Sequence, residues 1–287
     1  MSDIIEILKI IVLGMVEGFT EWIPISSTGH LMLVEKLLQP DVSATFMEMF
    51  RVVIQLGAIL AVVVLYFRRL NPLAQGKKPA QRRATWILWS KIAVACLPVA
   101  VLGLLLDDWL DIHFYNDESK DLVVSLMLIL YGILFIVFEM KNHLRSPLVE
   151  RTGKISYHMA FYIGIFQVLA LIPGTSRSGA TILGGMMLGC SRAVAAEFSF
   201  FLGIPVMFGA SLLKLKGFGL HFSLTEFFYL LLGMAVAFLV SVYSIRFLMG
   251  WVKKNDFKVF GYYRIVLGVI VLIWYIISSL VNSSVAG

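Results

Sequence analysis

The chain has 287 residues, 59% of them hydrophobic and only 15% charged, with a mean hydropathy of +0.88. A soluble domain carries about 25% charged residues, so the composition excludes a soluble enzyme, a disordered chain and a secreted disulfide scaffold, and the continuous apolar runs exclude an outer-membrane barrel, whose strands alternate in polarity. The net charge of +6, with pI near 9.3, resides in short loops between apolar runs, where it reads as a topology determinant facing anionic lipid; no nucleic-acid partner is expected.

Met1-Ser2-Asp3-Ile4 lacks a positive n-region, so no cleavable signal peptide is expected. The first segment, 4–38, begins apolar and breaks at Ile23-Pro24-Ile25-Ser26-Ser27-Thr28-Gly29-His30. Apolar runs long enough to cross a bilayer, which takes about 20 residues per helix, follow at about 46–67, 86–106 and 122–138. A second broken segment, 155–190, interrupts at Ile172-Pro173-Gly174-Thr175-Ser176-Arg177-Ser178-Gly179-Ala180-Thr181, and three more spans follow at about 196–214, 226–249 and 259–280. Too few apolar residues remain after each break to cross, so each broken segment is predicted to enter, turn at its small-residue tip and leave by the same side.

The two breaks resemble each other. Gly14 pairs with Gly164, Glu17 with Gln167, Ile23-Pro24 with Ile172-Pro173, Ser27 with Ser176 and Gly29 with Gly179. The expectation is one all-α, polytopic membrane domain built as an inverted repeat, repeat 1 about 1–140 and repeat 2 about 155–287, each a re-entrant hairpin plus three spans. Loop charges orient it. The 68–85 loop (Arg68, Arg69, Lys77, Lys78, Arg82, Arg83), the 139–154 loop (Lys141, Arg145, Arg151, Lys154) and the 250–258 loop (Lys253, Lys254, Lys258) are basic and expected inside. The 107–121 loop holds Asp107, Asp108, Asp111, Asp117, Glu118 and Asp121 against Lys120 and is expected outside; Lys214 and Lys216 would face outward against the rule. The two tips then meet within the membrane.

Glu17 and Glu21 are spaced i, i+4 and share a helix face inside an apolar run. Two carboxylates at depth need a cation; a divalent ion, Mg²⁺ or Ca²⁺, suits paired oxygens, and a structural pair solvated at the helix end is the alternative. His30 is a candidate general acid, base or nucleophile, or else a packing residue. Ser26, Ser27 and Thr28 could cap the following helix, supply a nucleophilic hydroxyl or contact phosphate. Arg177, set among Gly174, Thr175, Ser176, Ser178, Gly179 and Thr181 ahead of an apolar helix, makes an anion site, or else pairs with a structural Glu. Lys91, Arg246 and Arg264 lie near span ends and are expected to snorkel; Glu48, Arg51 and Gln55 precede or begin a span, and Arg192 and Glu197 are read as topology residues. Cys96 and Cys190 read as core residues. Together these parts describe a phosphate-handling site inside a membrane.

The segment Glu17-Gly18-Phe19-Thr20-Glu21-Trp22-Ile23-Pro24-Ile25-Ser26-Ser27-Thr28-Gly29-His30 resembles the ExxxE-to-SSTGH segment of the bacterial undecaprenyl-diphosphate phosphatases, the bacitracin-resistance family. Residues 173–181 are similar to its PGxSRSxxT motif, and Gln55-Leu56-Gly57-Ala58, Ala195-Ala196-Glu197-Phe198-Ser199-Phe200 and Tyr263-Arg264 extend the likeness over nearly the whole chain. The resemblance implies hydrolysis of a polyprenyl diphosphate to the monophosphate carrier lipid plus inorganic phosphate in the bacterial plasma membrane, at a site opening outward, with bacitracin competing by sequestering the substrate. It further implies that Glu17 and Glu21 hold a metal or activate the nucleophile, that His30 moves protons or attacks, and that Arg177 stabilises the transferring phosphoryl group. Ser27 is a nucleophile candidate, and Ser26, Thr28, Gly174, Thr175, Ser176, Ser178 and Thr181 support the phosphate. A lipid-phosphate transporter or flippase is the leading alternative, and a homodimer is the assembly left open.

Overall fold

The structure is a computed structural model that describes residues 2–116, 119–142, 146–219 and 222–286, without the side chains of Ser2, Asp107 and residues 282–286. Asp117, Glu118, Arg145 and the side chain of Asp107, counted above among the loop charges, therefore lie outside the described residues. Apart from an isolated bridge between Val149 and Cys190, the described elements are helical.

The first broken segment forms α1 (Ser2–Thr20) and α2 (Ser27–Leu38), joined by a turn through Glu21–Ile25. At 1.5 Å per residue the 12-residue α2 is about 18 Å long and cannot cross a core of about 30 Å. The first span is two helices, α3 (Ala44–Val53) and α4 (Gln55–Leu65), meeting at Ile54. After the short α5 (Phe67–Leu70), α6 runs Pro79–Phe114 and α7 Lys120–Asn142. The second broken segment gives α8 (Tyr157–Val168), a single 3₁₀ turn at Leu169–Leu171, and α9 (Arg177–Met187). Three long helices follow: α10 (Arg192–Phe218), α11 (Leu224–Trp251) and α12 (Lys258–Ala286). Six helical stretches are long and apolar enough to cross a membrane: Ala44–Leu65, Pro79–Leu106, Lys120–Asn142, Arg192–Phe218, Leu224–Trp251 and Lys258–Val281. They contain the six expected spans, and α2, α8 and α9 are too short to add another.

The arms pair across the molecule. α1 packs on α11, α8 on α6, and α7 on α12, while α4 and α10 sit against each other at the centre. Close approach depends on glycine. A Cβ on Gly14 of α1 would stand 2.8 Å from the Gly233 carbonyl oxygen of α11, and one on Gly164 of α8 would stand 2.2 Å from the Ala95 oxygen of α6. In lipid, where apolar faces gain nothing by avoiding water, such backbone-to-backbone packing is the main source of helix association. The core between the arms is aromatic, with Trp22, Phe198, Phe200 and Phe201 fully buried, and large apolar side chains such as Leu104, Leu105, Leu239 and Val266 face outward as a lipid-facing surface requires.

Two expectations about charges change. Lys91 does not snorkel: it is buried and donates to the Gly153 carbonyl at 3.0 Å. Arg264 lies in the interior, described below. Uncharged Gln55 begins α4, directly after the Ile54 junction. Arg192 binds buried Glu139 (Nε–Oε1 2.8 Å) and Glu197 accepts from Arg69 and Thr152, so these charges clamp helix ends.

Candidate active site

Both short tip helices begin at one cavity. Ser26 is the N-cap of α2 and Ser176 the N-cap of α9; their hydroxyls accept from Gly29 N (3.4 Å) and Gly179 N (3.1 Å). Both serines hold positive φ, 74° and 71°, a region that side-chain-bearing residues seldom occupy and that concentrates at functional sites. The N-terminal turns therefore present free backbone N–H groups and positive dipole ends toward the same space, an arrangement that attracts anions.

The cavity, of about 170 Å³, is walled by Glu21, Ser27 and Thr28 of the first tip, Gly174, Ser176 and Arg177 of the second, and Gln55, Tyr115 and Gln167 from neighbouring helices. Arg177 joins the tips. Its Nη2 donates to Glu21 Oε1 at 2.9 Å and its Nη1 to the Ser199 carbonyl at 2.7 Å, and its guanidinium lies 5.4 Å over the Trp22 ring. The pair is nearly dry, with side chains 10% and 8% exposed. A Cβ at Gly203 would come within 3.0 Å of the Arg177 guanidinium carbon, so the missing side chain there makes its berth. The other oxygen of Glu21 accepts from Ser27 Oγ at 2.7 Å, which places a hydroxyl and a base in hydrogen-bond contact. Ser178 Oγ donates to the Glu21 backbone carbonyl at 3.0 Å and completes the contact between tips.

The remaining candidates take internal positions. Glu17 is fully buried one turn below Glu21, and neither of its carboxylate oxygens has a hydrogen-bond partner among the described residues. Ser26, Thr175, Ser178 and Thr181 are buried behind the cavity wall; Thr181 Oγ1 is 2.7 Å from Ser199 Oγ, and Thr175 Oγ1 is unpartnered. His30 does not line the cavity. Its Nδ1 lies 2.7 Å from the Ser26 carbonyl, which only accepts, so Nδ1 carries a proton, and its Nε2 lies 2.7 Å from the Tyr263 hydroxyl.

Sequence reasoning missed Arg264. It is 0% exposed, and its guanidinium donates to the carbonyls of Pro24 (3.2 Å) in the first tip and of Gly174 (2.9 Å) and Thr175 (3.0 Å) in the second. Two further bonds, to Met127 and Leu128 of α7, and the Tyr131 ring at 5.4 Å complete its surroundings. An arginine near the start of an apolar run looks alike in sequence whether it snorkels or turns inward; only the adjoining Tyr263, which meets His30, hints that α12 reaches the tips.

The family described as bacitracin resistance protein BacA matches residues 10–270. Similar curated proteins include the undecaprenyl-diphosphatase of Desulfitobacterium hafniense, 58% identical over 95% of this chain and 97% of that protein. Those of Enterococcus faecalis and Acetivibrio thermocellus are each 56% identical, covering 94% and 95% of this chain and 98% of each relative. Motifs, helical architecture and this near-full-length identity agree, and the chain belongs to the BacA family.

Proposed function

We infer that the chain is an undecaprenyl-diphosphatase: a multi-pass membrane enzyme that hydrolyses undecaprenyl diphosphate to the monophosphate and inorganic phosphate and so confers bacitracin resistance. The observation that carries the reading is the Ser27–Glu21–Arg177 cluster across two helix N-termini. Ser27 Oγ, its proton already directed at Glu21, attacks the terminal phosphorus. The bond to the bridging oxygen breaks, prenyl monophosphate departs, and the serine proton passes to Glu21. Water then attacks the phosphoserine; the Ser27 oxygen leaves with the proton held by Glu21, and phosphate is released. The water's protons leave on the released phosphate, while His30, outside the cavity wall and with both ring nitrogens engaged by Ser26 and Tyr263, braces α2 against α12. Arg177 and the two helix N-termini stabilise charge on the transferring group. A transporter would have no use for a hydroxyl bonded to a buried carboxylate.

A divalent cation, Mg²⁺ or Ca²⁺, fits the donor set: Glu17 offers two buried oxygens without partners, and Mg²⁺ typically takes one or two protein carboxylates plus substrate phosphate. Glu17 and Glu21 would hold it, and it would supply neutralisation of phosphate charge. Purified protein in detergent should release phosphate from a prenyl diphosphate, and chelation should suppress it. A wild-type protein that binds prenyl diphosphate without releasing phosphate would overturn the hydrolase reading, and full activity after chelation would remove the metal.

The inverted repeat is part of the same reading. Its support is the exchange of partners, α1 on α11 against α8 on α6, with α7 on α12 as the self-related contact, and the matching positive-φ serine caps, which pair Ser176 with Ser26 and not with Ser27 as the sequence alignment of the breaks has it. The cavity opens outward in this reading because Tyr115, at the end of α6 beside the acidic loop, forms part of its wall.

A further inference from the structure

Gln167 sits on α8, just before the 3₁₀ turn that leads into the second tip. It is 0% exposed, and neither its Oε1 nor its Nε2 has a hydrogen-bond partner among the described residues. An amide kept only for packing would be expected to have found a partner, because a buried polar group without one destabilises the fold. Gln167 lines the same cavity as Glu21, Ser27 and Arg177. The guanidinium of Arg177 is already shared between Glu21 and the Ser199 carbonyl. Its Nε has no partner among the described residues and can also meet an anion, but a terminal phosphate presents several oxygens, and a neutral amide supplies two further N–H groups without adding another charge.

We propose that Gln167 is a phosphate-contacting residue of this site, its Nε2 donating to a phosphoryl oxygen; the assignment rests on the phosphatase reading above. The ligand chemistry is a phosphoryl group, arriving on a lipid headgroup or as free inorganic phosphate. The test uses full-length wild-type, Gln167→Leu and Gln167→Glu proteins in detergent, with farnesyl diphosphate as substrate. Loss of a hydrogen bond to a charged group should raise KM roughly tenfold or more in Gln167→Leu, and the added negative charge of Gln167→Glu should raise it further. Inhibition constants for inorganic phosphate and for farnesyl monophosphate separate the sources: whichever rises marks the phosphate that Gln167 touches.

Melting temperature supplies the readout that a structural role would move the other way. Replacing an unpartnered buried amide by leucine should leave it unchanged or raise it, whereas a structural glutamine would lower it. KM and both inhibition constants within about twofold of wild type in both variants would overturn the proposal, as would a lowered melting temperature with unchanged KM. Should wild-type protein release no phosphate, the phosphatase reading fails by itself. Gln167 is then judged by the melting-temperature shift that inorganic phosphate or farnesyl monophosphate produces. A smaller shift in Gln167→Leu supports the contact, and equal shifts in variant and wild type, zero included, overturn it.

Discussion

Arg177 and Arg264 both place a guanidinium inside the helical bundle, and their surroundings separate their work. Arg177 pairs with a carboxylate at the cavity, whereas Arg264 donates to backbone carbonyls behind it. Arg177→Ala leaves Glu21 buried and unpaired, which by itself costs about 3–5 kcal/mol, so Arg177→Lys is the cleaner test. It should fold and still lose on the order of 10²–10³ in turnover, because a point charge cannot bind Glu21, Ser199 and a phosphoryl group at once. Gly203→Ala should lower turnover in the same direction without touching any polar atom, since its methyl would push the guanidinium out of its berth. Near-wild-type phosphate release from both variants would remove the clamp. Arg264→Met should instead fail mainly in stability. It strands carbonyls of both tips at about 1–3 kcal/mol each, so a fall of several kcal/mol in denaturant titration is expected, with Arg264→Lys intermediate. That Arg177 belongs with the polar groups of the tips was legible in sequence, because a guanidinium is expensive in lipid, but its pairing with Glu21 in particular was not. Arg264 was not legible, because its position near the end of an apolar run also permits escape to the headgroups.

Lengths and breaks of the elements follow from simple counts: apolar runs of about 20 residues became spans, and Pro-Gly-Ser clusters became tips. The junction at Ile54 did not show, since neither glycine nor proline marks that residue within the run. Gln55, which follows the junction at the start of α4, lines the cavity. The continuation of α6 through Phe114 was hidden as well, because aspartates in water end a span without ending a helix. At the tips the decisive feature is the serine cap with positive φ. Ser26 can be tested apart from the cavity, which it does not line. Ser26→Ala loses the bond from Gly29 N and keeps the strained φ, so it should cost about 1 kcal/mol. Ser26→Gly also loses the bond but occupies that region freely and should cost less. Melting temperatures in detergent should rank wild type above glycine above alanine; alanine equal to wild type would show that the cap contributes nothing.

At the scale of the molecule, the chain must keep a polar cavity inside a hydrocarbon slab. Backbone freed at each tip finds no water there, so irregular chain is tolerated only where protein surrounds it or a cavity receives it. Two tips solve this jointly. Arg264 gathers carbonyls from both, Arg177 spans from one to the other, and each tip supplies what the other lacks. That mutual dependence makes the position of the cavity a global property, set by which side each loop occupies. The basic loop at 68–85 belongs inside by the charge rule, whereas Tyr115 of the cavity wall adjoins the acidic loop expected outside. The lipid headgroup would thus enter from the outer face while its prenyl tail stays among the spans. Thr28 is exposed and lines the cavity, and Lys78 is exposed in the basic loop, so both accept a cysteine reporter. In a background with Cys96 and Cys190 replaced, a membrane-impermeant maleimide added to intact cells should label Thr28→Cys and leave Lys78→Cys untouched until the membrane is opened. Inorganic phosphate should slow labelling at Thr28→Cys if the cavity holds the anion as argued. Labelling of Lys78→Cys from outside, with Thr28→Cys protected until permeabilisation, would place the cavity on the opposite face and reverse the route by which substrate arrives.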